Sequence, residues 1–318
     1  MGLRARGLTD EAVETAFTEG RILRTHVLRP TWHFVTPADI RWMLALTGPR
    51  LNRSHLPYHA QLGLDEKVLK RSRVAIERAL RDGKQLTRAE LGAVLGRAGV
   101  KVQGLGLAIV MMNAELDGVV CSGARKGKQF TYALLEERAP HAKPLTRDEA
   151  LGELARRYFT SHGPATLRDY VWWSGLVVGD ARRGIEIAGS ALQHQVVDQR
   201  TYWSAASSRS APRTAASAYL LPNYDEYLVA YRDRDEVVGL SKRAAAGPRG
   251  SDVFGHSVII DGRLAGTWTR TAVRESVTVD VVSYRRLTPL ERRAVSVAAG
   301  RYGRFMNQAV VCVHGSSR

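Results

Sequence analysis

The feature that most constrains this fold is an order of elements that occurs twice. Over residues 66–81 the apolar positions Val68, Leu69, Ala75, Ile76, Ala79 and Leu80 recur at helical spacing. Asp82-Gly83 ends that segment. Thr87 then opens a second helix with Glu90 three residues on, the pairing in which each side chain accepts the other's backbone N–H. Gly99 closes it. A third helix is predicted over 105–117, carrying Leu107, Ile109, Val110, Met111, Ala114 and Leu116. VVCSG, the basic turn ARKGKQ and FTYALL follow as strand, turn and strand. Three short helices and a hairpin in this order describe a winged helix: the last two helices form a helix-turn-helix and the hairpin is the wing.

The order returns after a linker at 140–144. Residues 146–161 read as a helix with Leu151, Leu154, Ala155, Tyr158 and Phe159 on its apolar face. His162-Gly163-Pro164 is a break, and Thr166 caps a short second helix, LRDYVWWSG, whose Trp172 and Trp173 are expected in the core. Val178-Gly179-Asp180 is read as the turn into a third helix, ARRGIEIAGSAL, and HQVVDQRTYW as a second wing turning at Asp198-Gln199. The spacing of about 75 residues makes this a fold-level repeat and not a solenoid period.

The flanks differ. Residues 9–20 form a predicted helix capped by Thr9, with Val13, Ala16 and Phe17 on one face. Residues 21–36 are extended, with Pro30 interrupting, and a helix starting near Pro37 ends at Gly48-Pro49. Residues 204–214 read as a flexible linker, and 241–251 as a basic Gly/Pro loop that orders on DNA. Near the C-terminus, Asp261-Gly262 is a hairpin turn between strands at 258–260 and 264–268. A strand at 276–283, a helix from Pro289 to about Phe305 and a strand at 309–313 complete a small unit with a three-stranded sheet. The expectation is an α+β chain: a partial winged-helix region at 1–65, winged helices at 66–140 and 141–205, and an α+β region with a β-hairpin at 206–318.

The charge suggests a partner. Lys and Arg number 47 against 31 acids, a net charge of +16. Such an excess favours a polyanion, because each neutralised phosphate releases a condensed counterion. The arginine bias is also what a GC-rich genome produces. No apolar run approaches the roughly 20 residues of a membrane span. The start, MGLRARGLTDE, lacks the apolar core of a secretory signal. The expected location is cytoplasmic, with the nucleoid. Cys121 and Cys312 are read as buried free thiols. His55 and His59 are no metal pair, since Pro57 would break a helix between them. With no P-loop and no dinucleotide fingerprint, no cofactor is expected.

Candidate DNA contacts follow from position. Arg125, Lys126 and Lys128 occupy the first wing tip, and Arg168, Arg182 and Arg183 are exposed candidates in the second unit. On the predicted recognition helix at 105–117 only Asn113 and Glu115 could read a base edge. Arg29 and the dense run Thr31-Trp32-His33 could line a DNA channel; the other reading makes Trp32 core and His33 structural. Arg263 follows the hairpin turn and could probe a groove. Asp225 and Glu226 could stabilise a cationic sugar, or hold Arg232 or Arg234 in an interdomain ion pair.

Three blocks carry a resemblance. RILRTHVLRPTWHFVTPADIRWML (21–44), LLPNYDEYLVAYRDR (220–234) and IIDGRLAGTW (259–268), in this order, resemble the winged-helix DNA-binding proteins related to crosslink-unhooking, alkylpurine DNA glycosylases of the azinomycin-resistance type. The resemblance implies tandem winged helices around a channel for double-stranded DNA and hydrolysis of the N-glycosidic bond of an alkylated base. It also implies a catalytic Gln-apolar-Gln or Gln-apolar-Asp motif ahead of the helix at 8–20. The sequence given starts at Met1, short of that place. Gln193-His194-Gln195 has a polar centre and the wrong location, and is read as coincidence. His33, Asp225 and Glu226 are then the remaining candidates for chemistry, and two alternatives stand: the true start lies upstream of Met1, or the chain is a truncated or catalytically silent member. The tandem units favour a monomer. The competing function is a helix-turn-helix transcription regulator without enzymatic activity.

Overall fold

A computed structural model describes residues 1–207, 216–239, 254–273 and 276–316. The expected linker at 204–214 and basic loop at 241–251 fall largely or wholly outside those residues; Ser204 and Ala205, however, are strand. The chain is α+β and divides into two compact units: Met1–Val13, His162–Trp173 and His194–Arg318 form one, Glu14–Ser161 and Ser174–Gln193 the other.

The first elements are α1 (Asp10–Thr18), β1 (Leu23–Val27), β2 (Arg29–Val35), α2 (Pro37–Ser54) and α3 (Leu56–Gln61). β1 and β2 form an antiparallel pair that turns at Leu28, whose φ is 66°. Pro30 does not interrupt the strand. The register passes from His26↔Trp32 to Val27↔Arg29, leaving Pro30 and Thr31 in a bulge that asks nothing of the missing N–H. Nor does Gly48-Pro49 end α2. Pro49 lies inside the helix with its would-be acceptor residue Ala45, and both are exposed, so water can satisfy the carbonyl the proline leaves unbonded. Pro57 likewise begins α3 instead of breaking it; in a first turn its N–H would be unbonded anyway.

The first three-helix-and-hairpin run is α4 (Glu66–Leu80), β3 (Leu86–Thr87), α5 (Arg88–Arg97), α6 (Gly104–Leu116), β4 (Val120–Lys126) and β5 (Gln129–Leu134), closed by α7 (Leu135–Arg138). Asp65 caps α4, and Thr87 with Glu90 forms the expected reciprocal cap on α5. The three strands pair in the order β3-β5-β4. Ile76, Leu80, Leu91, Leu95, Met111, Val120 and Tyr132 close the core of this run.

The second run is α8 (Arg147–His162), β6 (Ala165–Thr166), α9 (Leu167–Ser174), α10 (Val178–Ala188), a 3-10 turn (Gly189–Ala191), β7 (Leu192–Val197) and β8 (Arg200–Ala205). Its strands repeat the order of the first, β6-β8-β7. Val178-Gly179-Asp180 is the first turn of α10 and not a loop before it. Gly184 is required where α10 meets α8, since a Cβ there would lie 2.6 Å from the Leu151 carbonyl oxygen.

The C-terminal region holds β9 (Ala218–Leu221), α11 (Glu226–Val229), α12 (Asp235–Val238), β10 (Ser257–Ile260), β11 (Arg263–Val273), β12 (Ser276–Ser283), α13 (Pro289–Met306) and β13 (Ala309–Ser316). Its sheet has five strands, in the order β13-β12-β11-β10-β9, and not the three expected. β9 is a four-residue run that carries no alternation to announce it. β13 returns parallel to β12 through the crossover helix α13. Val258, Ile260, Trp268, Val279, Val281, Val295 and Ala299 form the core of this region.

Candidate nucleic-acid interface

Strand alternation divides the β1–β2 pair into two faces. Leu23, Thr25 and Val27 are buried. On the other side the register sets Arg24 opposite Phe34 and His26 opposite Trp32. Trp32 is 45% and Phe34 51% exposed, so Trp32 is not a core residue. The Arg24 guanidinium lies between two rings, 4.4 Å from the Trp32 centroid and 3.7 Å from that of Phe130. Burial holds this guanidinium below its ordinary value, and the nearby Glu115 carboxylate opposes that shift. The His26 ring packs 4.7 Å from Trp32, and its Nδ1 is hydrogen-bonded to Glu115, which α6 holds at only 1% exposure. Phe17 packs edge-on against both Phe34 and Phe130. Arg29, Thr31 and His33 share β2; His33 Nδ1 lies 3.0 Å from the Thr31 carbonyl oxygen.

The first hairpin does present its cations at a tip, where Gly127 and Lys128 form the turn. Two of the three are already engaged. Arg125 Nη1 meets Glu14 at 2.6 Å, and Lys126 Nζ meets Glu90 at 2.6 Å. The Lys126 ammonium, with the Thr87 backbone and hydroxyl, pulls the Glu90 carboxyl down to about 2. Lys128 is exposed. The two side chains of the third helix that could read a base edge are both engaged within the protein. Asn113 Nδ2 donates to Asn52 Oδ1 at 3.2 Å, and Glu115 is buried against His26. The cause is composition: α6 is buried almost all round, so its polar residues turn to protein partners.

In the second run Arg168, Arg182 and Arg183 are exposed, with Arg183 paired to Asp148 at 2.8 Å. Trp172 is 41% exposed and its Nε1 donates to the Val229 carbonyl at 2.9 Å, which corrects its expected core placement. Gln193, His194 and Gln195 lie on β7. In the C-terminal region the turn forms as expected, with φ of 48° at Asp261 and 80° at Gly262. Arg263 beside it is exposed.

The acidic pair has other partners than expected. Asp225 receives a bidentate Arg4, at 2.7 and 2.9 Å, and caps α11 through the Tyr227 amide. Arg232 instead donates its amide to Asp169, and Arg234 Nε donates to the Leu228 carbonyl. Glu226 accepts from Trp173 Nε1 at 3.0 Å and lies 3.5 Å from His162 Nε2. Tyr231, whose phenol burial pushes up to about 12, donates to the His162 carbonyl. Asp225 is therefore enclosed, whereas Glu226 keeps a solvent-facing side.

A cleft of about 500 Å³ lies beside Trp42, but its charges largely cancel: Arg157 pairs with Asp39 at 2.8 Å and Glu153 at 2.6 Å. Cys121 is buried, with its thiol pushed up to about 12 by that burial, whereas Cys312 is only half-buried and its Sγ lies 3.7 Å from His314 Nε2. Among the described residues no three His, Cys, Asp or Glu side chains are grouped to hold a metal, and no helix is long and apolar enough to cross a membrane.

Comparison with known proteins gives a consistent picture. The family model described as "DNA glycosylase AlkZ-like" matches residues 1–305. An "Interstrand DNA cross-link repair glycosylase" of Streptomyces sahachiroi is 25% identical over 284 residues, covering 84% of this chain and 76% of the relative. The solved structure of the Streptomyces sahachiroi DNA glycosylase AlkZ superposes with a TM-score of 0.77 at 22% identity, over 98% of this chain and 87% of that one.

Proposed function

The chain belongs to the AlkZ-like DNA glycosylase family, and from this we propose that it binds double-stranded DNA and hydrolyses the N-glycosidic bond of alkylated bases. The observation that carries the reading is the family match, which runs through all three blocks of resemblance. The net charge of +16 and the exposed aromatic–arginine face of β1–β2 support it.

The chemistry asks little of the protein. An N7-alkylated purine is cationic, so when the bond between C1′ and N9 breaks, N9 keeps the electron pair and the base leaves neutral. Water adds to C1′, its proton goes to solvent, and an abasic site remains. Orienting that water and stabilising the oxocarbenium-like sugar are the protein's tasks. Glu226 is the carboxylate of the acidic pair that keeps a face to solvent, which suits it to the cationic sugar. Arg29, Thr31 and His33 on β2, Lys128 with Arg125 and Lys126 at the hairpin tip, Arg168, Arg182, Arg183 and Arg263 contact the DNA backbone. We read the two helix-and-hairpin runs, 66–140 and 141–205, as winged helices beside a partial one at 1–65 and the region at 206–318, in a monomer acting in the cytoplasm at the nucleoid. The operator-binding reading rests on the helix-turn-helix order alone, and the engagement of Asn113 and Glu115 within the protein leaves the predicted recognition helix with no side chain to favour it.

The test uses a duplex with one N7-methylguanine. Alkali-labile cleavage at that position, above the spontaneous level, is the expected result. Binding with no cleavage above that level contradicts the proposal.

A further inference from the structure

The outer face of β1–β2 holds a group of side chains that phosphate contact does not explain. Trp32 and Phe34 stand two residues apart on one strand face, each about half exposed. Strand geometry places such neighbours roughly 7 Å apart. Beneath them the cations and hydrogen bonds act as a frame. Arg24 is fixed between Trp32 and Phe130, and Arg125 lies 5.3 Å from the Phe130 centroid. His26 packs on Trp32 and is itself held by buried Glu115. The Trp32 ring is thus fixed before anything binds, which lowers the ordering cost of a partner.

An exposed indole framed by arginines meets two chemistries in nucleic acid: a base face and a phosphate. In an intact duplex the base faces are stacked away, so the indole has nothing to meet. We propose that this face is a stacking platform for one unpaired base of a DNA strand, with Trp32 as the plate and Arg24 as the cation that holds the plate and screens the adjacent phosphates. Charge complementarity selects nucleic acid over an apolar protein surface, since Arg24 and Arg125 lie against the rings in a chain of net charge +16. The inference rests on the DNA-binding reading above and deepens it: the platform selects sites where a base has left the stack.

The probe is a duplex with a single bulged 2-aminopurine, compared with the fully paired duplex of the same sequence. The wild-type chain is expected to prefer the bulge and to quench 2-aminopurine fluorescence. Trp32→Leu is expected to lower the ratio of the two Kd values by about tenfold, as stacking on one aromatic ring commonly contributes, and to abolish the quenching. A melting curve reports whether the variant folds. Trp32→Phe, which keeps an aromatic ring, is expected to lower the ratio about two- to threefold, and it decides the matter if the leucine variant unfolds. A wild-type chain indifferent to the bulge, or a folded variant that keeps the full preference and quenching, overturns the proposal. Base release from alkylated duplex is measured separately. A chain that prefers the bulge through Trp32 but releases no base would refute the glycosylase reading and leave the platform standing.

Discussion

A methyl group added at Gly175 would lie 2.2 Å from the Leu28 carbonyl oxygen, on a backbone whose φ is +67°. Both conditions oppose a side chain, and Leu28 is the turn residue that sets Arg24 and His26 opposite Phe34 and Trp32. Gly175→Ala is expected to cost about 2–4 kcal/mol, read from the urea midpoint; a loss below about 0.5 kcal/mol would mean the hairpin does not depend on this close approach. Arg4 poses a similar question. Removing it by Arg4→Ala leaves the Asp225 carboxylate, 3% exposed, without its cation. The expected loss is about 2–4 kcal/mol, partly regained if Asp225→Asn is added; additive losses in the double variant would contradict the pairing. At this scale the sequence is legible only over short range. Thr87 and Glu90 are three residues apart and declare their pairing. Arg4 and Asp225 are 221 apart, and nothing in either neighbourhood names the other, so Asp225 drew attention while its partner did not. Arg24 and Phe130 were missed for the same reason.

Elements were read better than their partners. The two helix-and-hairpin orders rest on periodicity and caps, which are local, and they stand at nearly the expected residues. The five-stranded sheet was only partly legible, because pairing β13 beside β12 and β9 beside β10 is a long-range choice that local pattern does not encode. The helix α2 shows the reverse error: Pro49 is a strong local stop signal, overridden where its cost falls on solvent. The capping of α13 gives a pH test. The Arg285 guanidinium, aided by the Thr288 backbone and hydroxyl, holds the Glu291 carboxyl at about 2 against an ordinary 4.5. A folded-state value below the unfolded one stabilises the fold at every pH above about 4.5, and that contribution disappears as pH falls towards 2. Melting temperature should therefore fall between these limits, and fall less steeply in Glu291→Gln. Parallel acid limbs in the two proteins would show that the carboxylate adds nothing.

For the whole molecule, the charge excess of +16 and the three sequence blocks both point to DNA, and the family match carries the same direction. Affinity for duplex DNA should fall linearly in log–log form with salt, at a slope near −0.9 for each phosphate neutralised. Lys128→Gln, which removes an exposed tip cation, should flatten that slope by about one and weaken random and genomic duplexes alike. An unchanged slope would take the hairpin tip away from the DNA. What the sequence could not supply was which side chains remain available: the two polar groups of the third helix that could reach a base edge are taken up by Asn52 and His26. The most direct measurement of the central claim is free base released from an N7-alkylguanine duplex, followed by mass spectrometry against the rate without protein. Neutral alkylguanine appearing in equal amount with abasic sites, and faster than spontaneous loss, is the predicted result; tight duplex binding with release no faster than the spontaneous rate would contradict it.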